Sequence, residues 1–376
     1  MARRVKRKRL RKVSMPEMRK IPWWQTEFTT GEAEAAAKAI TEGRLSQGPI
    51  VAEFEQKLAN YLGVRQVVAT TSGSDALLLS LWAANVLPGD EVLVPNRTWI
   101  ATAHAVSLLG AVPIFVDTDV DNPVISSSDL RNKVTSRTKA VIPVHLNGRD
   151  AHIDEVLEFG ETHGIKVIED AAQALGSKDA SGSFLGTKSL AGCFSLSVAK
   201  VISSGQGGFI ATSHDDFAAR LRAMRTHGIE NVIEPGKWDM LGFNFRFTDV
   251  LASIALAQFE KLELRLSRLR EIYNRYEVGI RGLPNIRMIP LNLNGGEIGP
   301  YIEILSDDRE SLVKYLLQHG IESRKFYPDL DTADYFKAIK ENPNSRVFGS
   351  DGLYLPSGPS LTNDSIDFVL STLVNF

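Results

Sequence analysis

Lys200 sits in Cys193-Phe-Ser-Leu-Ser-Val-Ala-Lys200-Val-Ile-Ser-Ser-Gly-Gln-Gly-Gly208, where a β-rich run meets a glycine cluster. Thirty residues earlier, Asp170 closes the apolar run Lys166-Val-Ile-Glu-Asp170, and Gln173 follows it. An amine held in a tight loop can form a Schiff base with an aldehyde. A carboxylate fixed at a neighbouring strand end can keep a pyridine nitrogen protonated, so that the ring accepts electrons. Together they suit pyridoxal 5'-phosphate, with Lys200 and Asp170 as the catalytic pair. For Asp170 alone, a buried ion pair is the plainer reading.

Three further places could serve the same chemistry. Thr70-Thr-Ser-Gly-Ser-Asp-Ala-Leu77 ends an apolar run and opens a helical one, so the free N–H groups of Gly73, Ser74 and Asp75 and the Ser74 hydroxyl offer a phosphate cradle. The same turn would serve equally as a helix cap. Trp99, after Val94-Pro-Asn-Arg-Thr, could stack on a flat ring or simply pack in the core. Ser195 precedes Lys200 by five residues around a turn, which lets the hydroxyl meet a phosphate while the amine reaches the ring.

These residues need strand ends to hold them. Short apolar runs at Gln66–Ser72, Glu91–Pro95, Pro113–Asp117, Ala140–His145, Lys166–Asp170, Gly192–Ser197 and Gly208–Ser213 alternate with helical patterns near 74–87, 99–110, 127–135, 151–164 and 214–226. That is βαβ logic: an α/β fold with a seven-stranded, mostly parallel sheet sandwiched by helices, and function clustered at strand ends. Helices are also expected near 30–43, opened by a capping box at Thr29 and Glu32, and over 50–62. Thr248 to Gly282 reads as one long helix bridging to a smaller C-terminal α+β domain. Strands are expected there at Arg287–Leu291, Tyr301–Leu305, Glu322–Phe326 and Gly352–Leu355, with helices near 308–319 and 361–374. Gly295-Gly296 and Asn342-Pro-Asn-Ser345 read as loops. The expected organisation is an arm over 1–20, a large cofactor-binding domain over 21–250, and the linking helix with the small domain over 251–376.

Composition agrees with a soluble enzyme: 376 residues, 43% apolar and 23% charged. The single cysteine, Cys193, excludes an internal disulfide and a cysteine-based zinc site, and fits a reducing cytoplasmic compartment. The seven histidines are scattered, so no metal is expected, and no run is apolar and long enough for a membrane span. Charge is uneven: residues 1–20 carry +9 and the remainder −11. A terminal like-charge run reads as a solvated, disordered arm, although it could touch nucleic acid.

Phosphate turn, aromatic, Asp-x-x-Gln, Ser-x4-Lys and Gly-x-Gly-Gly occur in one order, each at a strand end. From Ile21 to the C-terminus the chain resembles the nucleotide-sugar aminotransferases of the DegT/StrS type, pyridoxal phosphate enzymes of fold type I. The matching stretches are Ser72-Gly-Ser-Asp-Ala-Leu77, Pro88-Gly-Asp-Glu-Val92, Glu169-Asp-Ala-Ala-Gln-Ala-Leu-Gly176, Phe194-Ser-Leu-Ser-Val-Ala-Lys200 with Gly205-Gln-Gly-Gly208, and Leu241-Gly-Phe-Asn-Phe-Arg-Phe-Thr-Asp249.

The resemblance implies that Lys200 carries the cofactor, Asp170 faces its pyridine nitrogen, Gln173 its phenolic oxygen and Trp99 its ring, while Ser74, Asp75 and Ser195 bind its phosphate. It implies that Asn244 reaches the phosphate in a neighbouring subunit, so that a homodimer shares its sites. Asn244 and Arg246 could otherwise be a turn cap and a surface ion pair. The implied reaction moves an amino group from an amino acid, L-glutamate by resemblance, to a nucleotide-linked keto-sugar. A 4-keto-6-deoxyhexose is the first choice and a 3-keto sugar the second. Lys200 argues against the related dehydratases, which carry His there. A general amino-acid aminotransferase of the same fold and a regulatory nucleic-acid-binding protein are the competing readings. Ser74 in place of Thr preserves a hydroxyl, whereas Gly-Gln-Gly-Gly and Val144-His-Leu-Asn-Gly148 depart from the commoner forms on the substrate side.

Overall fold

The computed structural model describes residues 20–229, 237–238, 240–336 and 341–376; the basic arm, apart from Lys20, lies outside them. Two helices, α1 (Thr30–Thr41) and α2 (Pro49–Leu62), lead into β1 (Gln66–Thr70) and α3 (Gly73–Ala83). There follow β2 (Glu91–Pro95), α4 (Ala101–Leu108), β3 (Val112–Val116), α5 (Ser127–Lys133), β4 (Thr138–Val141), α6 (Ile153–His163), β5 (Lys166–Asp170), β6 (Ala191–Ser195), β7 (Gly208–Thr212) and α7 (Asp215–Arg225). The seven strands form one sheet in the order β1-β7-β6-β5-β4-β2-β3. Pairing is parallel from β3 through β6, and β7 runs antiparallel to both its neighbours.

Successive side chains of a strand point to opposite faces, and both faces here are apolar. Val68 and Ile210 pack with α3, α4 and α7, whereas Val67, Phe209 and Ala211 pack with α2 and with the helices that follow the sheet. Several strands end earlier than the apolar runs suggest. The run expected to reach His145 is a regular strand, β4, only to Val141: Pro143 has no N–H to give, and beyond it pairing continues as a single bridge from Val144 to Asp170, with the Asp170 N–H donating to Pro143 O at 2.9 Å and the His145 N–H to Asp170 O at 3.0 Å.

The helix expected across 248–282 is two helices, α8 (Asp249–Phe259) and α9 (Leu262–Ile280). No Pro or Gly marks the break at Glu260-Lys261; tertiary partners make it. Lys261 Nζ donates to Thr29 Oγ1 and Glu32 Oε1, both at 2.9 Å, and the Gln258 amide reaches Glu27 O and Glu32. α8 is thereby held against α1, and α9 turns toward the second sheet.

That sheet is antiparallel, with β8 (Ile286–Met288), β9 (Ile302–Ser306), β10 (Arg324–Lys325) and β11 (Gly352–Leu355) in the order β10-β11-β9-β8. Ile302, Ile304, Leu353 and Leu355 face α9, α10 (Arg309–Gln318) and α12 (Asn363–Val374). The opposite face is aromatic, with Tyr301, Phe326 and Tyr354 packed around Trp24. The tract expected to be a loop at 342–345 instead opens α11 (Pro343–Asp351); its proline occupies the first turn, where no N–H is needed.

Buried ion pairs join the two sheets. Arg149 pairs with Glu303 and donates to Pro290 O and Ile289 O at 3.0 and 3.1 Å. Arg97 donates to Tyr327 O and Asp329 Oδ1 at 2.6 and 3.0 Å, its guanidinium resting on the rings of Phe326 and Tyr327. Among the described residues no helix is long and apolar enough to cross a membrane.

Candidate active site

A cavity of about 520 Å3 opens at the strand ends between the two sheets. Seven of the residues singled out in the sequence line it: Gly73, Ser74, Trp99, Asp170, Gln173, Ser195 and Lys200. Asp75 and Asn244 do not.

Asp170 is positioned by the end of β5, a central and buried strand. Thr102 Oγ1 donates to its Oδ2 at 2.8 Å and the Ala172 N–H to its Oδ1 at 3.1 Å. Burial raises its pKa, while those two donors and the Lys200 and His145 charges pull the other way. Directly behind it, fully buried Glu169 accepts from His145 Nε2 at 2.9 Å and from the N–H groups of Gly186, Lys188 and Ser189. His145 is held above its ordinary pKa by Glu169 although burial opposes this, and Glu169 is held below its own by the same partner against burial.

Lys200 projects from the loop between β6 and β7, which is closed by Lys200 N–H to Ser197 O at 3.2 Å and Ser204 N–H to Leu196 O at 3.1 Å. Burial pushes its amine down to about 8, and attraction to Asp170 opposes that shift. A lysine at that value is partly neutral near physiological pH and can take a proton. The neighbouring carbonyl of Ala199 accepts from Tyr301 Oη at 2.7 Å, so the residue just before β9 helps to hold the loop.

The phosphate turn forms because Ser72 caps α3, its Oγ accepting from the Asp75 N–H at 3.0 Å. The Gly73 and Ser74 amides come in the first turn, where a helix provides no acceptor. Gly73 has to be glycine: a Cβ there would stand 2.8 Å from Ser195 Cβ. The Asp75 carboxylate turns back to Thr71 Oγ1 and Ser72 Oγ at 2.6 and 2.7 Å, so its side chain braces the turn rather than lining the cavity. Gln173 Oε1 accepts from the Asn147 N–H at 2.9 Å. That bond leaves Nε2 as the donor on the cavity side.

Trp99 is 57% exposed at the rim, edge-on to Tyr327 with centroids 5.7 Å apart. Asn244 is exposed too, its Oδ1 receiving the Arg246 N–H at 3.4 Å in a segment whose main chain bridges to Thr226 and Thr70. Around it Trp238, Leu241 and Phe243 are 72%, 76% and 63% exposed.

Sequence reasoning missed the wall contributed by the second sheet: Tyr301, Arg324, Tyr327 and Tyr354, with Trp23 from the N-terminal segment. Only the aromatic clustering of Lys325-Phe-Tyr-Pro328 hinted at it. Thr102, which anchors Asp170, was hidden as one threonine in a helix. Among the described residues no cluster of three His, Cys, Asp or Glu side chains is placed to hold a metal ion.

The sequence model of the DegT/DnrJ/EryC1/StrS aminotransferase family matches residues 27–374. The chain is 36% identical over 343 residues to a GDP-perosamine synthase of Caulobacter vibrioides, covering 87% of this chain and 90% of that one. It is 32% identical over 363 residues to the GDP-perosamine synthase of Escherichia coli O157:H7, covering 96% and 99%. Among solved structures, S. venezuelae DesV in complex with a ketimine intermediate superimposes with a TM-score of 0.90 at 29% identity, over 95% of this chain and 98% of the other.

Proposed function

The chain belongs to the DegT/DnrJ/EryC1/StrS aminotransferase family, and on that premise we propose that it aminates a keto-sugar carried on a nucleotide, with pyridoxal 5'-phosphate as cofactor and an amino acid, L-glutamate first, as donor. The observation that carries the reading is one cavity holding Lys200, lowered to about 8, with Asp170 close enough to act on its charge. The relatives named as GDP-perosamine synthases favour a GDP-linked 4-keto-6-deoxyhexose as acceptor.

The lining fits this cofactor. The Gly73 and Ser74 amides, the Ser74 hydroxyl and Ser195 would hold the phosphate at the helix N-terminus, where the dipole favours an anion. Gln173 Nε2 would donate to the phenolic oxygen, Trp99 would cover the ring, and Asp170 would hold a proton on the pyridine nitrogen. When bound, the cofactor supplies the electron sink that stabilises charge left on the carbon losing its proton. Lys200 is the group that takes that proton and returns it. Thr102 and Ala172 fix the Asp170 carboxylate while it holds the ring proton, and a cationic nitrogen beside it favours the ionised form against burial.

The exposed apolar stretch around Asn244 supports a homodimer. Trp238, Leu241 and Phe243, near Asn244 in the sequence, are large apolar side chains left exposed, as residues covered by an interface are, and a two-fold axis would set Asn244 at the partner's phosphate. The deciding experiment presents a panel of nucleotide keto-sugars to the glutamate-treated protein and follows cofactor absorbance and product mass. Amination of a GDP-4-keto-6-deoxyhexose is expected. Turnover confined to simple keto acids would reassign the chain to general amino-acid metabolism.

A further inference from the structure

One cation on the cavity wall is held by a ring rather than by a carboxylate. Arg324, on edge strand β10, lies with its guanidinium 4.1 Å from the centroid of the Trp23 ring. Among the described residues it makes no ion pair and donates no side-chain hydrogen bond. Its neighbour Lys325 is already engaged by Glu310 at 2.6 Å. Lys200 faces Asp170 in the depth of the same cavity. The Trp23 platform is itself anchored from both sides. Ile21 exchanges main-chain hydrogen bonds with Gly320 and Glu322, both at 2.9 Å, and the Trp23 carbonyl accepts from the Ser357 N–H at 2.8 Å.

A stacked guanidinium loses little further freedom on binding, and its fork of N–H donors matches a carboxylate or a phosphate. Resting on the assigned transamination, the cavity must admit two substrates in turn that share one chemical property. The amino acid donor and the nucleotide-linked sugar each carry an anion away from the reacting carbon. We propose that Arg324, preorganised on Trp23, is the anchor for that anionic group, a carboxylate of the donor or a phosphate of the nucleotide.

The test uses cofactor-loaded protein and two probes, glutarate for the donor's carboxylate and GDP for the nucleotide's phosphate, each titrated calorimetrically. Arg324→Gln should weaken at least one of them about tenfold or more, the loss expected for a charge-assisted contact. Weakening of glutarate alone assigns the carboxylate, of GDP alone the phosphate, and of both a shared anchor. Trp23→Ala should give part of the same loss and Trp23→Phe less, whereas Arg281→Gln, on the outer surface, controls for net charge and should change neither probe. Unchanged affinity for both probes in Arg324→Gln, with the cofactor fully bound, overturns the proposal. These titrations do not require turnover, so a chain that bound the probes normally yet aminated no sugar would count against the assigned reaction and not against the anchor.

Discussion

At the scale of single residues the site turns on how Lys200 and Asp170 set each other's charge. Lys200→Ala should lower turnover by about 10^3-fold or more while the cofactor's amine form still binds, because proton transfer loses its base. Asp170→Asn keeps the shape and removes the charge. A loss of at least ~100-fold is expected, measured as the rate of the donor half-reaction, and near-normal rates would move the role to another carboxylate. The pH dependence follows from the same pair. Below about 8 the free Lys200 amine is protonated, so the rate at which cofactor-free protein takes up pyridoxal phosphate should rise with pH and level off above that value. Asp170 favours the charged lysine, so Asp170→Asn should shift the rise to lower pH. A shift upward, or an adduct that borohydride fixes on another lysine, contradicts the assignment. Lys200, Asp170 and the phosphate turn are readable in the sequence because each is a reactive type at a strand end. Tyr301 and Arg324 are not: they lie more than 100 residues downstream of Lys200, and only the packing of the second sheet brings them to it.

At the scale of elements, local rules locate most of the fold, and tertiary contacts decide where they fail. Short apolar runs mark the seven strands, because both faces of the sheet are buried, and the capping box at Thr29 and Glu32 forms where its spacing puts it. The Glu32 carboxylate accepts from Thr29 N and Oγ1 at 2.8 and 2.6 Å. The break between α8 and α9 is invisible in the sequence because its cause lies in α1. Glu32 is buried beneath Lys261, and although burial would raise its pKa, the Thr29 and Lys261 hydrogen bonds bring it from 4.5 to about 2. The folded value lies below the unfolded one, so this contribution to stability is complete above 4.5 and is lost as pH falls toward 2. Lys261→Met leaves that carboxylate without its cation and should cost about 1–3 kcal/mol at neutral pH, with a smaller further loss on acidification than the parent shows. Denaturant melts across the pH range check both, and identical pH profiles would mean that Lys261 does not control Glu32. α11 escapes the sequence for the opposite reason: a proline that reads as a breaker is, at the first turn, a helix starter.

At the scale of the whole molecule, the question is whether one protomer completes its own site. Asn244 does not line the cavity of its own chain, yet it sits on an exposed segment flanked by Trp238, Leu241 and Phe243. If a two-fold axis passes beside this segment, the same loop enters both cavities, because an isologous interface presents one patch to itself. Two inactive variants would then rescue each other. In a hybrid of Lys200→Ala and Asn244→Asp subunits, one cavity combines an intact Lys200 with an intact partner asparagine, while the other has neither. Asp is chosen because its carboxylate repels the cofactor phosphate, where Ala would only withdraw a hydrogen bond. By itself Asn244→Asp should weaken cofactor retention, read by absorbance after dialysis. After dissociation and reassociation in equal amounts, half the dimers are hybrids with one intact cavity each, so activity should recover to roughly a quarter of the parent's. Subunit exchange can be verified by mass spectrometry of differently tagged chains. Exchange without recovery would mean that Asn244 serves its own chain, and that the exposed apolar side chains near it mate with something other than a neighbouring active site.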